Sequence, residues 1–488
     1  MLKIDPNLEL VEDRQTGDSQ PVRSLCVHAH FYQPSRENPF TGIIPVEKGA
    51  APYKNWNERI HDTCYRPNAK LGNFERISFN VGPTLFRWME RYDPVTYNRI
   101  VAQDRANLER FGVGNAMAQG YHHAILPLAT RRDKITQVAW GIADFEHRFG
   151  RSPEGIWLPE TAVDLETLEV LAEQGIEFTI LAPWQAAVDD LDPSQPYWVA
   201  LPSGARMVVF FYHGAMSSGV SFDQRMTSNA HDFASKNLSA HFDDDNSEAQ
   251  LLLLASDGEL YGHHQRFRDW FLAYLVNGAG ARAGLRLTYP ALWLRQHPPK
   301  ETIKIRENTS WSCHHGVARW EEGCACTRGD SSWKGHLRLA LNRLAEALDQ
   351  IYADEIAALG LDPWQLRDAY IDVILGKRAL ADLLPAVLSA DELERVRLLL
   401  EAQRERQRMF TSCGWFFESF KRIEPRNNIA YAARVIQLTA QATGQDVSAV
   451  AAEHLREVRD ARGDLRGDQV LKSFLNSDLI HQTNDKIS

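Results

Sequence analysis

Two acidic residues, Glu160 and Asp257, each stand at the end of a strongly apolar run: Glu160 after GIWLP (155–159) and Asp257 after LLLLAS (251–256). A carboxyl at such a place enters a partly desolvated cleft. A pair of carboxyls, one ionised and one protonated, is the minimum apparatus for cleaving a glycosidic bond. Each acid also has a plain structural reading, Glu160 as a rim ion-pair partner and Asp257 as a helix N-cap; two acids so placed favour chemistry. Other runs also lead into polar groups: His28, His30, Tyr32 and Gln33 at 28–33; Gln119, Tyr121, His122 and His123; Trp157 just ahead of Glu160; Tyr212 and His213; and Glu259 two residues past Asp257. His28 and His30 are expected to point different ways, so that at most one faces the cleft. Glu259 is expected to point away from Asp257 and to orient His263 or a sugar hydroxyl.

The elements that carry these groups are legible as alternation. Apolar runs at 24–31, 76–82, 112–119, 155–159, 178–183, 207–212 and 251–256 are separated by amphipathic segments such as 84–92, 133–149 and 164–175. Buried, non-alternating strands between helices indicate a parallel sheet with helices outside. Seven such strands in roughly 240 residues suit an α/β, TIM-like barrel, whose chemistry gathers at the carboxyl ends of the strands. Asp164 can cap the third helical segment and Gly175 can end it. From about residue 334 the pattern is helical only, with Leu337, Leu341, Leu344, Leu348 and Ile351 on one face. Asp362-Pro363 and Ser389 open further helices, and 427–444 and 446–458 continue the series. The expected organisation is a flexible lead-in at 1–20, a catalytic barrel at 21–330 and a helical domain at 331–488. DPSQP (192–196) and PALWLRQHPP (290–299) read as loop punctuation, and 217–233 as a lid or acceptor-site wall.

Composition narrows the function. The 488 residues carry a net charge of −10, which argues against non-specific binding to nucleic acid or anionic membrane. Thirteen Trp residues suit a protein that stacks on sugar rings, although most tryptophans belong to cores. No run is long enough to span a bilayer, and residues 1–18 lack the pattern of a signal peptide, so a cytoplasmic location is expected. The six Cys are then expected to be reduced thiols. Cys313, Cys324 and Cys326, with His314 and Cys413 considered beside them, do not follow the usual C-x2-C zinc spacing, and no metal is assigned to them.

Taken together, the blocks HAHFYQPSRENPF, GNAMAQGYHHAILPL, GIWLPETAVD, ASDGELYGHH and TSWSCHHGVARW resemble those of the family-57 glycoside hydrolases, and TSCGWFFES with NNIAYAARVIQL extends the likeness to a subgroup with an appended helical domain. The resemblance covers about residues 24–440. It implies a (β/α)7 barrel, a retaining mechanism on α-glucosidic bonds, and no required metal or cofactor. It places the nucleophile on Glu160 and the acid/base on Asp257. It puts His30 and His123 beside the sugar with Gln33 close by, and makes Trp157, Trp311 and Trp415 candidate stacking walls. His28, His213 and Glu259 complete the expected substrate-binding set, and the partner is an oligo- or polysaccharide.

Two other classes compete with that reading. A metal-dependent sugar hydrolase, α-mannosidase-like or deacetylase-like, would gather His28 or His30, Asp257 and His123 around zinc. A non-catalytic sugar-binding barrel would keep the fold without turnover. The retaining reading requires the two carboxyls to lie about 5–5.5 Å apart. It leaves hydrolysis and glycosyl transfer as alternatives, since both proceed through the same intermediate.

Overall fold

The computed structural model describes residues 21–476; the expected lead-in at 1–20 lies outside them. Ten strands form: β1 (Arg23–Phe31), β2 (Ser78–Val81), β3 (Ala116–Gln119), β4 (Ile156–Trp157), β5 (Phe178–Leu181), β6 (Tyr197–Ala200), β7 (Arg206–Phe211), β8 (Gln250–Asp257), β9 (Arg286–Leu287) and β10 (Thr302–Ile303). The sequence β4-β3-β2-β1-β8 is parallel throughout. A parallel bridge between Gly155 and Phe178 carries it on to β5, and β5 pairs in parallel with β7. The ring is completed where the His213 N–H, at the end of β7, donates to the Leu253 carbonyl of β8 at 2.7 Å. Seven parallel strands therefore surround one axis, in a distorted (β/α)7 barrel. Leu25, Val27, Leu252 and Leu254 are among the strand residues that are almost wholly buried, as strands covered on both faces require.

Three strands had no counterpart in the apolar runs. β6 pairs antiparallel with β7, β10 adds to β6, and β9 pairs only Ser24 and Leu25. β9 and β10 have two residues each, too short for a periodic signal. The 290–299 stretch is a helix over Pro290–Gln296 with Pro at its start, not a loop; proline at the first helical position is favourable rather than disruptive. In the segment expected to act as a lid, Gly214–Phe222 is also helical.

Local caps set where the barrel helices begin. Asp164 accepts from the Thr167 N–H at 2.8 Å to open Leu165–Glu173, and Thr130 opens Arg131–Phe149 by accepting from the Asp133 N–H. Beyond Trp333 the named elements are helices alone, the longest being Trp333–Ala357, Ala390–Arg408 and Ile423–Thr443. Their core holds Leu337, Leu341 and Leu344, with Trp320, Trp333 and Trp415. This helical layer is fastened to the barrel by buried charge. Asp133 pairs with Arg406 at 2.7 Å and with Arg367 at 3.2 Å, and accepts from Gln407 at 2.7 Å.

Candidate active site

Glu160 follows β4 on a single 3-10 turn, Pro159–Thr161. Its backbone is left-handed (φ 57°), as is that of Thr161 (φ 49°), a conformation that costs a non-glycine residue of order 1 kcal/mol or more. The surroundings enforce it. The Thr161 hydroxyl and carbonyl are both held by the Gln185 side chain at 2.8 Å, and the Trp311 N–H donates to the Glu160 carbonyl at 3.0 Å. The Glu160 side chain is fixed in turn: its Oε2 accepts from Ser312 Oγ at 2.7 Å and from Trp311 Nε1 at 3.1 Å. Burial pushes its carboxyl up, while Ser312, Trp311 and the charge of Arg319 pull it back toward ionisation.

Asp257 is the last residue of β8 and stands opposite His30 of β1 in the strand register. Its side chain is open to the cleft but walled by protein. Among the described residues, no cation or hydrogen-bond donor offsets that enclosure. Enclosure first, then the negative charges of Glu259 and Glu160, push it up to about 8. The two carboxyls are close enough for Glu160 to act electrostatically on Asp257, and they stand in opposite settings: donors for Glu160, acids for Asp257.

Next to Asp257 in the strand register begins a chain of neutral imidazoles. His28 Nδ1 contacts Ser78 Oγ at 2.9 Å, and its Nε2 lies 3.2 Å from Asn80 Oδ1. Asn80 Nδ2 lies 3.0 Å from His30 Nδ1, His30 Nε2 lies 3.3 Å from His123 Nε2, and His123 Nδ1 contacts Ser412 Oγ at 2.6 Å. One proton assignment satisfies every link: His28 Nε2–H donates to Asn80, the Asn80 amide to His30, His30 Nε2–H to His123, and His123 Nδ1–H to Ser412. Burial keeps the rings neutral, lowering His28 to about 3, His30 to about 4, and His123 as well. The expectation that His28 and His30 diverge is wrong. Side chains two apart on a strand share a face, and both rings stack on Trp157, at 4.6 and 5.3 Å, while sharing Asn80.

The remaining expected residues divide. Trp311 sits edge-on to Trp157 at 5.1 Å and is only partly buried, so it borders the cleft. Trp157 is fully buried beneath the imidazoles and forms the floor rather than a wall. Trp415 is also fully buried, but among the helices, with its Nε1 on the Lys334 carbonyl and Arg338 stacked on its ring at 4.0 Å. It has no free face for a sugar, and the stacking role expected for it is withdrawn. His213 caps the helix Gly214–Phe222 by accepting from the Met216 N–H. Gln33 receives Arg36 at 3.0 Å and hydrogen-bonds toward Glu259. Glu259 is buried and accepts from Tyr65 Oη at 2.6 Å and the Tyr32 N–H at 3.2 Å. It does not orient the His263 ring, which bonds Thr63 instead. Four residues of the site were not singled out from sequence: Ser312, Asn80, Arg319 and Ser412. Ser312 and Arg319 lie in the aromatic block TSWSCHHGVARW and Ser412 in TSCGWFFES, which was the signal available for them; Asn80 lay outside these blocks.

The arrangement does not gather His28, His30, His123 and Asp257 as metal ligands. His28 is consumed by Ser78 and Asn80. Among the described residues, the one group of three or more potential ligands whose donor atoms converge lies elsewhere, at Cys313, His315, Cys324 and Cys326.

A seven-stranded barrel with two acids in contrasting settings at the carboxyl ends of β4 and β8 defines the class: a barrel protein with the layout of a glycoside-cleaving enzyme. The comparisons specify the family. The model described as Glycosyl hydrolase family 57 matches residues 28–306, and a domain of unknown function (DUF3536) matches residues 330–482. The chain belongs to glycosyl hydrolase family 57. It is 25% identical over 131 residues to an α-amylase 1 of Dictyoglomus thermophilum, a match covering 25% of this chain and 18% of that protein. It is 24% identical over 145 residues to a 4-alpha-glucanotransferase of Thermococcus litoralis, covering 29% and 21%. The matches therefore span about a fifth of the length of these relatives. In fold the chain is similar to an exo-type maltose-forming amylase from Pyrococcus sp. ST04, at a TM-score of 0.72 and 13% identity, covering 93% of this chain and 89% of that one.

Proposed function

We propose that this protein is a retaining enzyme acting on α-glucan-type carbohydrate, with Glu160 as nucleophile and Asp257 as general acid/base. The observation that carries the reading is the unequal setting of the two carboxyls. Glu160 has two donors on one oxygen and a guanidinium nearby; Asp257 has acids for neighbours and is pushed up to about 8. At neutral pH the first is the group to attack and the second the group that still holds a proton.

In this mechanism the Glu160 carboxylate bonds to the anomeric carbon as the glycosidic C–O bond breaks, and Asp257 gives its proton to the leaving oxygen. The Asp257 carboxylate then takes a proton from water or from an acceptor sugar hydroxyl, whose oxygen displaces Glu160 from the anomeric carbon. His30 and His123, neutral and held by their relay, pack beside the sugar, and Trp311 packs on a ring face. The subtype, amylase, glucanotransferase or branching enzyme, is set by which acceptor reaches the glycosyl-enzyme.

The test is product analysis on maltooligosaccharides and glycogen, with and without an added acceptor, for the wild type, Glu160→Gln and Asp257→Asn. Both variants should bind glucan yet lose turnover by a factor of about 10³ or more. Full activity in Glu160→Gln would end the assignment. Glucan binding without turnover in the wild type would favour the non-catalytic barrel.

A further inference from the structure

The segment that supplies Trp311 and Ser312 to Glu160 runs directly into a cluster of soft ligands. Cys313 and His315 lie on one arm and Cys324 and Cys326 on the other, two pairs each with a single residue between. Cys313 Sγ is 3.5 Å from Cys324 Sγ, His315 Nδ1 is 3.2 Å from Cys326 Sγ, and all four donor atoms lie within 4.8 Å of one another. A tetrahedral zinc site with Zn–S near 2.3 Å and Zn–N near 2.0 Å spaces its ligands by about 3.5–3.8 Å. The four atoms lie close to that arrangement, near enough for a small closure around one ion to complete it. No usual C-x2-C spacing exists here, because the arms are brought together by backbone geometry instead. Gly316 (φ 72°) turns the first arm where a Cβ would meet the Asn308 carbonyl oxygen at 2.3 Å. Gly323 (φ 96°) does the same just before the second, against the Ser331 carbonyl oxygen at 2.7 Å.

We propose that Cys313, His315, Cys324 and Cys326 form a structural zinc site that clips the segment 309–326 and so holds Ser312 and Trp311 on Glu160. The ligand set is three thiolates and one imidazole, which selects zinc over hard cations and leaves no open position for chemistry. The site also ties the barrel to the helices. Cys313 is buried in the core of the helical layer, and Cys324 and Cys326 pack against that core. Arg319, between the arms, donates to the Ser312 carbonyl at 2.8 Å. The zinc site rests on these residues alone; only its consequence for Glu160 rests on the proposed function.

The full chain, purified under reducing conditions, should carry one zinc per molecule by elemental analysis. Its thiols at this site should resist a thiol reagent until a chelator is added. Cobalt reconstitution should give the absorption of a tetrahedral thiolate complex. His315 is exposed, so His315→Ala leaves the packing alone and should cut zinc affinity by more than the roughly 10- to 100-fold that outer-shell partners are worth. Cys324→Ser with Cys326→Ser should abolish retention. Absence of zinc and of cobalt uptake in the reduced wild type overturns the site, as does a Cys313–Cys324 disulfide in the protein as purified, or stoichiometric binding unaffected by His315→Ala. Zinc removal should move the acid limb of the pH–activity profile upward. Zinc release that leaves that limb in place overturns the link to Glu160.

Discussion

Ser312 Oγ donates to Glu160 Oε2 at 2.7 Å across 152 positions of sequence. A short bond to a carboxylate is a device for keeping it charged, and here it works against burial. Ser312→Ala should therefore lower kcat/KM by about tenfold to a hundredfold, the value of one hydrogen bond to a charged group. The acid limb of the profile should shift to higher pH, because the carboxylate loses a donor. Ser312→Thr should restore most of both. An unshifted acid limb in Ser312→Ala would show that the hydroxyl does not govern the ionisation of Glu160.

The alkaline limb reports the other acid. With Asp257 pushed up to about 8, activity should fall as pH rises through about 8, where the proton needed by the leaving oxygen is lost. Glu259 is itself pushed up to about 7 by burial, and its charge helps hold the proton on Asp257. Glu259→Gln should thus move the alkaline limb to lower pH. Movement upward, or none, would place the control of Asp257 elsewhere.

The same shift has a price in stability, with a definite sign. A carboxyl raised from its ordinary value near 3.9 to about 8 keeps its proton in the folded state after the unfolded chain has lost it. Stability from this group is present below about pH 4 and declines as pH rises to about 8. Asp257→Asn should therefore raise Tm at alkaline pH and give no gain at pH 3. Thermal melts across that range, compared with wild type, measure the difference; a Tm gain as large at pH 3 as at pH 9 would contradict the assignment.

How much of this was legible depends on where the physical signal sits. The seven barrel strands were readable because buried parallel strands are continuous apolar runs, and Glu160 and Asp257 because strand ends are where a run stops. β6 was missed because it pairs antiparallel outside the ring and alternates in burial over four residues. Asn80 was invisible because its importance comes from the register that sets it beside His30. His315 was passed over in favour of its neighbour His314, since linear spacing does not show that two left-handed glycines fold the arms together. Trp415 was misread because an aromatic in a motif looks the same whether it faces sugar or core.

Asp133 tests the seam between barrel and helices. Burial would raise its carboxyl, but Arg406 and Arg367 outweigh that and hold it at about 2. Such an acid stabilises the fold above its ordinary value near 3.9 and loses that contribution as pH falls through about 2. Asp133→Asn leaves two buried guanidinium groups short of charge and should cost about 3–5 kcal/mol in urea unfolding at pH 7. The deficit relative to wild type should narrow as the pH is lowered toward 2. A constant deficit would mean that the cost is lost packing rather than lost charge.

Trp415 separates a structural tryptophan from a sugar-binding one. Its ring is wholly enclosed, with Arg338 4.0 Å from its centre and its N–H spent on the Lys334 carbonyl. Trp415→Ala should destabilise the protein by about 3–5 kcal/mol through the cavity it leaves, while KM for maltooligosaccharides, measured well below the new Tm, stays within about twofold. Trp311 has the opposite exposure, bordering the cleft with its N–H on Glu160. Trp311→Ala should raise KM and lower kcat together, since one change removes both a ring face and a donor to the carboxylate. Trp311→Phe, which keeps a face but has no N–H, should recover KM more than kcat. If Trp415→Ala instead raises KM by an order of magnitude without a loss of stability, the helical layer must open to expose that ring, and the cleft extends further than the closed packing around Arg338 allows.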